Sequence, residues 1–187
     1  MLALAWMLMV DCYLRPSEAL KLRTGNVLPP THGYEQAGLL MHRHEVGEMS
    51  KIGEQDESLL IRRGWISRCL MAHLRGMRKE GAISPFDLVL MRKAFMAACG
   101  GTSLMKLKPV VHMGRHSGAS VDRSNGVLLL DVQRRGRWRC MASVRRYEKS
   151  ALLQKATAAL TSPELKSALR AEAQLPTELC AAFGPAT

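Results

Sequence analysis

Apolar positions recur at helical spacing along most of the chain and at strand spacing in one short region. The opening "MLALAWMLMV" is apolar at nearly every position, which predicts a helix over 1–13 buried on most of its sides. In "RPSEALKLRTG", Pro16 suits a first helical turn, Glu18 suits the positive helix start, and Gly25 can end the segment. "NVLPP" reads as a short strand stopped by two prolines. The stretch "AGLLMHRHEVGEMSKIGEQDESLLIRR" holds two or three short strands broken by Gly47 and Gly53, a small hairpin sheet. On such a strand His42 and His44 would share one face, as a phosphate contact or as plain exposed residues. Helical spacing returns over 65–80, with Trp65, Ile66, Cys69, Leu70, Leu74 and Met77. It continues in "SPFDLVLMRKAFMAAC", with Ser84 as N-cap and Pro85 in the first turn. Two short helices are predicted over 112–124 and 130–136, and a longer one over 142–160. A helix capped at Ser162–Pro163 runs to about 173, and a last short one starts near Pro176. The pattern as a whole predicts a mainly α protein with a small antiparallel β-sheet, an α+β fold.

Composition changes this picture in two ways. The chain has 187 residues, 47% of them hydrophobic, which is enough for one globular domain with a core. Lysine and arginine number 27 against 16 acidic residues, a net charge of +11. The excess is concentrated: residues 106–149 hold eleven basic residues and three acidic ones, while 150–187 are neutral. Most of those eleven are arginine, whose planar fork suits bidentate contact with phosphate. A polyanionic partner, nucleic acid above all, fits that distribution. The five cysteines, at 12, 69, 99, 140 and 180, form no CxxC pair, which favours free thiols in a reducing, intracellular setting. The apolar opening is too short to span a bilayer and lacks a basic start, so no membrane role is expected.

The chemistry-bearing stretch lies at 110–149. In "HMGRHSGAS", His112, Arg115 and His116 fall at i, i+3 and i+4, so on a helix they share a face. Histidine can take or pass a proton near neutral pH. Zinc is disfavoured, because no carboxylate lies between the two histidines and no third ligand is apparent. In "GRWRCMASVRRYEK", Trp138 precedes Tyr147 by nine residues. Taken alone, Tyr147 reads equally as a half-buried core residue or a nucleophile, and Trp138 as a packed ring or an N–H donor.

Three segments together resemble the tyrosine recombinases, the phage-integrase family. "YLRPSEALKL" resembles the first signature box, an Arg followed three residues later by an acidic residue: Arg15 and Glu18. "HMGRHSGAS" resembles the second, His-x-x-Arg-His. "GRWRCMASVRRYEK" resembles the third, a His or Trp nine residues ahead of the nucleophilic Tyr. Arg115 and Tyr147 stand 32 residues apart, an interval usual in that family. The resemblance covers 1–160 as a catalytic domain and leaves 161–187 as a C-terminal helical tail. It also implies a separate N-terminal DNA-clamping domain, which is expected to lie outside this sequence, since at most one helix precedes Arg15.

The resemblance further implies roles. Arg15 and Arg115 would clamp the phosphate, with Glu18 orienting Arg15 and His116 supporting the site. His112 would handle the tyrosine's proton, and nearby arginines would lower the Tyr147 pKa. Trp138 stands where histidine is more frequent. Lys51, the one lysine between Lys21 and Lys79, would protonate the leaving oxygen. The implied activity is DNA cleavage and rejoining through a 3′-phosphotyrosyl bond, as in site-specific recombination or integration. It conserves bond energy, so no cofactor and no metal is expected. Implied partners are double-stranded DNA and further copies of the chain, in the nucleus or nucleoid. The rival expectations are an inactive DNA-binding relic of such an enzyme and a type IB topoisomerase.

Overall fold

A computed structural model describes residues 1–48, 57–148 and 150–184. Its helices are α1 (Leu2–Asp11), α2 (Pro16–Lys21), α3 (Gly64–Leu74), α4 (Leu88–Cys99), α5 (Met113–Ser124), α6 (Leu129–Gly136), α7 (Met141–Val144), α8 (Ser150–Ala158) and α9 (Ser162–Ala181). Strands β1 (Val27–Leu28), β2 (Gly38–Met41) and β3 (Glu57–Leu60) form one antiparallel sheet in the order β1-β2-β3. Leu39 pairs with Val27 on one side and Leu59 on the other, and all three side chains are buried. The mainly α architecture with a small antiparallel sheet is therefore the one the spacing predicts.

Helix α1 is the axis of the molecule. Leu4, Leu8 and Met9 are buried among the residues of the sheet, α2 and α3, and Trp6 stacks on Phe95 of α4 with ring centroids 4.4 Å apart. On another side α1 meets α5, and that crossing depends on small residues. A Cβ on Gly118 would lie 1.9 Å from the Val10 carbonyl oxygen, and one on Gly114 would lie 3.3 Å from Met9. Glycine at these two positions, one helical turn apart, lets α5 seat directly against α1. A second, smaller cluster packs on the far side of α5 and holds Tyr13, Ala119, Val132, Val144 and Tyr147.

Asp11, at the end of α1, ties three elements together. Its buried carboxylate accepts the Arg62 backbone N–H at 2.8 Å and pairs with the Arg63 guanidinium at 2.8 Å. Arg135 of α6 donates to the Asp11 backbone carbonyl at 2.9 and 2.6 Å. Nothing in the spacing of the sequence pointed to this junction.

Four local expectations are corrected. Helix α4 is capped by Asp87, whose side chain accepts from the Leu90 N–H at 2.8 Å, and not by Ser84. The side chain that meets an orphan N–H of the first turn is the one at Asp87, three residues past Ser84. The helix expected over 142–160 is broken into α7, a 3-10 turn over Arg145–Glu148, and α8. Three residues per turn bring Val144 and Tyr147 onto one side, and both enter the second cluster. The two helices expected beyond Ser162 are one, α9, which passes through Pro176. The Glu172 carbonyl that Pro176 cannot serve lies on an exposed residue, where water can reach it. His42 and His44 do not share a strand face: His42 has a φ of 55° just past β2, and His44 begins a 3-10 turn.

The C-terminal end of α9 packs on α3 of its own chain. Leu179 is buried in the main core, and Cys180 Sγ donates to the Trp65 carbonyl at 3.6 Å. We expect Gly118→Ala to destabilise the fold by about 1–3 kcal/mol, because the added methyl meets backbone that cannot yield. Urea unfolding of the variant against the natural chain measures this.

Candidate active site

The site is built where the start of α2, the start of α5, the end of α6 and the 3-10 turn after α7 meet. Arg15 is the N-cap residue of α2. Its backbone N–H reaches Glu18 Oε2 at 2.6 Å, while its own Nη1 donates to Glu18 Oε1 at 2.6 Å. One carboxylate thus caps the helix and aims the arginine. The Arg15 side chain stays 39% exposed and lines an open cleft of about 870 Å³ together with Lys21, Arg23 and His42.

Arg115 comes to the same carboxylate from α5. It is 2% exposed, and its Nη1 stands 3.8 Å from Glu18 Oε2. Two of its donors are engaged: Nη1 with the Tyr13 carbonyl at 2.5 Å, and Nη2 with the Gly136 carbonyl. The two carbonyls lie at chain reversals, because Tyr13 (φ 51°) and Arg137 (φ 53°), next after Gly136, take the left-handed conformation. The Arg115 guanidinium also sits over the Trp138 ring, 4.5 Å from its centroid. Trp138 therefore packs beneath the arginine. Gly136 makes room for it, since a Cβ there would overlap the indole. Burial pulls the Arg115 pKa down to about 10, far enough above neutrality to keep it charged.

Tyr147 is 8% exposed, and its ring lies 5.3 Å from that of Trp138. Its phenol oxygen is 2.5 Å from Nδ1 of His116. His112 lies one helical turn earlier, with its ring 4.7 Å from that of His116. The histidine on the phenol is thus His116, and His112 stands at the exposed mouth of the pair. Burial, then the neighbouring His112, Arg146 and Arg115, push the His116 pKa down to about 4. At neutral pH it is uncharged, and in the tautomer that leaves Nδ1 without a proton it accepts from the phenol. His112 is also shifted down, by burial and then by Arg115 and Arg15. The expectation that arginines lower the phenol's pKa is corrected: burial raises it by more than Arg146 and Arg115 lower it.

Six of the eight residues singled out from sequence are therefore linked by successive contacts, Arg15 to Glu18, Arg115, Trp138, Tyr147 and His116, with His112 at the edge; of these, Arg15 and Glu18 line the cleft. Lys51 lies outside the described residues. Among the described residues, no group of three or more His, Cys, Asp or Glu is placed to hold a metal ion, and no helix is long and apolar enough to cross a membrane. One site residue was missed. Arg137 donates from Nη2 to Glu18 Oε2 at 2.6 Å. In sequence it is one arginine in a run of several, and only its left-handed backbone separates it from its neighbours.

No family model matches the sequence, and no curated protein matches it. Solved structures share its fold, two of them as follows. The catalytic domain of the bacteriophage HP1 integrase superposes with a TM-score of 0.54 at 17% identity, over 89% of this chain and 79% of that one. The XerH site-specific recombinase, solved bound to its difH substrate in a pre-cleavage complex, gives 0.58 at 16% identity. That match covers 83% of this chain and 46% of XerH, so the chain spans under half of the XerH length. At these identities the likeness establishes the fold: that of a tyrosine recombinase catalytic domain.

A histidine with a pKa near 4 in the folded chain and near 6.5 unfolded binds its proton more readily when unfolded. Stability should therefore fall as the pH drops from 6.5 towards 4. In His116→Gln that part of the acid sensitivity should disappear, which thermal melts across this range measure.

Proposed function

We propose that the chain breaks and rejoins DNA strands, with Tyr147 as the nucleophile that forms a 3′-phosphotyrosyl bond. The observation that carries this reading is the phenol of Tyr147, hydrogen-bonded to a neutral histidine beside a pair of arginines that share one carboxylate. A buried tyrosine of raised pKa needs a base in contact, and an anionic phosphodiester needs its charge neutralised before a phenolate can approach.

The step follows from these positions. As the phenol oxygen bonds to phosphorus, its proton passes to Nδ1 of His116. The bond from phosphorus to the 5′ oxygen breaks, and that oxygen takes a proton, which by family resemblance comes from Lys51. Charge builds on the non-bridging oxygens in the five-coordinate transition state. Arg15, reaching into the open cleft, and Arg115, fixed from behind by two carbonyls and the Trp138 ring, stabilise it. A 5′ hydroxyl from a second strand then attacks the phosphorus and gives its proton back to Lys51, while the bond to the Tyr147 oxygen breaks and His116 returns its proton to that oxygen. The balance closes without an external energy source, as a transesterification does.

Double-stranded DNA is the partner this chemistry requires, and the basic run over 106–149 supplies contacts to its backbone. Exchange between two duplexes calls for several copies of the chain, working where the DNA is, in the nucleus or nucleoid. The chain belongs on this reading with recombination and integration rather than with relaxation of supercoils.

Incubation with nicked duplexes of randomised sequence should give a covalent protein–DNA adduct that survives SDS. Tyr147→Phe should abolish the adduct while DNA binding persists. His116→Gln should slow its formation by roughly 10²–10⁴-fold, the usual contribution of a general base. Binding without any adduct in the natural chain would leave only a DNA-binding relic. Plasmid relaxation without strand exchange would point to a topoisomerase.

A further inference from the structure

Arg137 has no part in the chemistry above, yet it is among the most enclosed charges of the site. Its side chain is 7% exposed. Nη2 holds Glu18 at 2.6 Å, and Nε lies 3.4 Å from Glu57 Oε2, whose carboxylate also binds His42 at 3.0 Å. Nη1 is buried and has no hydrogen-bond partner among the described residues. A buried charged donor left unpaired is costly, and its usual explanation is a ligand or a function.

The charges around it point to the ligand. Arg15, Arg115 and Arg137 all lie against Glu18, with Glu57 as the second carboxylate. Three guanidinium groups thus share the one carboxylate of Glu18. A phosphodiester carries one negative charge and oxygens that accept from a guanidinium fork. Arg15 and Arg137 bind opposite oxygens of Glu18, so the two arginines flank one carboxylate.

We propose that Arg137 is a third arginine of the phosphate pocket, keeping Nη2 on Glu18 while Nη1 donates to a non-bridging oxygen of the scissile phosphate. This rests on the phosphodiester reading above. It gives Arg137 a task that lysine cannot fully take over, because a single ammonium lacks the fork that spans a carboxylate and a phosphate together.

Two measurements test it, with Arg137→Gln and Arg137→Lys, the latter keeping the charge should the former fail to fold. Titration calorimetry with inorganic phosphate should show roughly 10- to 100-fold weaker binding in Arg137→Gln, the worth of one charged hydrogen bond, and an intermediate loss in Arg137→Lys. Adduct formation is then compared on two nicked duplexes, one with an ordinary scissile phosphate and one with a methylphosphonate there. The variants should be slowed on the first, and much of the gap to the natural chain should close on the second, which lacks the charged oxygen. Phosphate affinity equal to that of the natural chain, or equal slowing on both duplexes, would overturn the assignment. Phosphate binding that depends on Arg137 in a chain forming no adduct would uphold the pocket and sink the strand-cleavage reading instead.

Discussion

The carboxylate of Glu18 is the constraint on which the site depends. It is 7% exposed, an expensive place for a charge unless that charge is well paired. Burial alone would raise its pKa, but Arg137, the Arg15 backbone N–H, Arg15 and Arg115 outweigh burial and lower it. Glu18 therefore remains ionised at neutral pH and holds together three guanidinium groups that would otherwise repel one another. It also caps α2, so the helix that delivers Arg15 and the carboxylate that aims it are fixed by the same bonds. Loss of Glu18 would leave buried cations unpaired, which is worse for a fold than never having buried them.

Around that carboxylate, two packing devices set distances. Gly114 and Gly118 let α5 lie directly on α1, which places Arg115 within reach of the Tyr13 carbonyl and holds His116 one residue further along the helix. The 3-10 turn after α7 then swings Tyr147 inward to His116, with Trp138 filling the space beneath both Arg115 and the phenol. Each candidate catalytic group is thus held by something rigid: a helix start, a carbonyl pair, an aromatic ring. That kind of preorganisation favours a transition state over a ground state.

Much of this was legible in the sequence because the relevant signals are local. The H-x-x-R-H spacing puts three side chains on one helical face whatever surrounds them. Tyrosine nine residues after tryptophan marked the third segment. The apolar opening announced a central helix. What stayed hidden depends on contacts between distant residues. Arg137 looks like its neighbours in sequence, and only the fold shows it buried against Glu18 and Glu57. Asp11 reads as the polar end of a helix until Arg62, Arg63 and Arg135 are seen to converge on it. The break in the helix over 142–160 follows from the inward pull on Tyr147, and the choice of His116 over His112 follows from where that pull ends. The direction of the phenol's pKa was misjudged for the same reason: charge is visible in a sequence, and burial is not.

The account turns on a single anion being held between Arg15 and Arg115 in front of the Tyr147 oxygen. A crystal structure of the chain soaked in orthovanadate tests this most directly, since vanadate takes up the five-coordinate geometry of a phosphoryl transition state. The account predicts vanadate with its oxygens about 3 Å from both guanidinium groups and the Tyr147 oxygen at its apex. Vanadate bound away from Glu18 and its arginines, or a tyrosine oxygen turned out of line with it, would contradict the account.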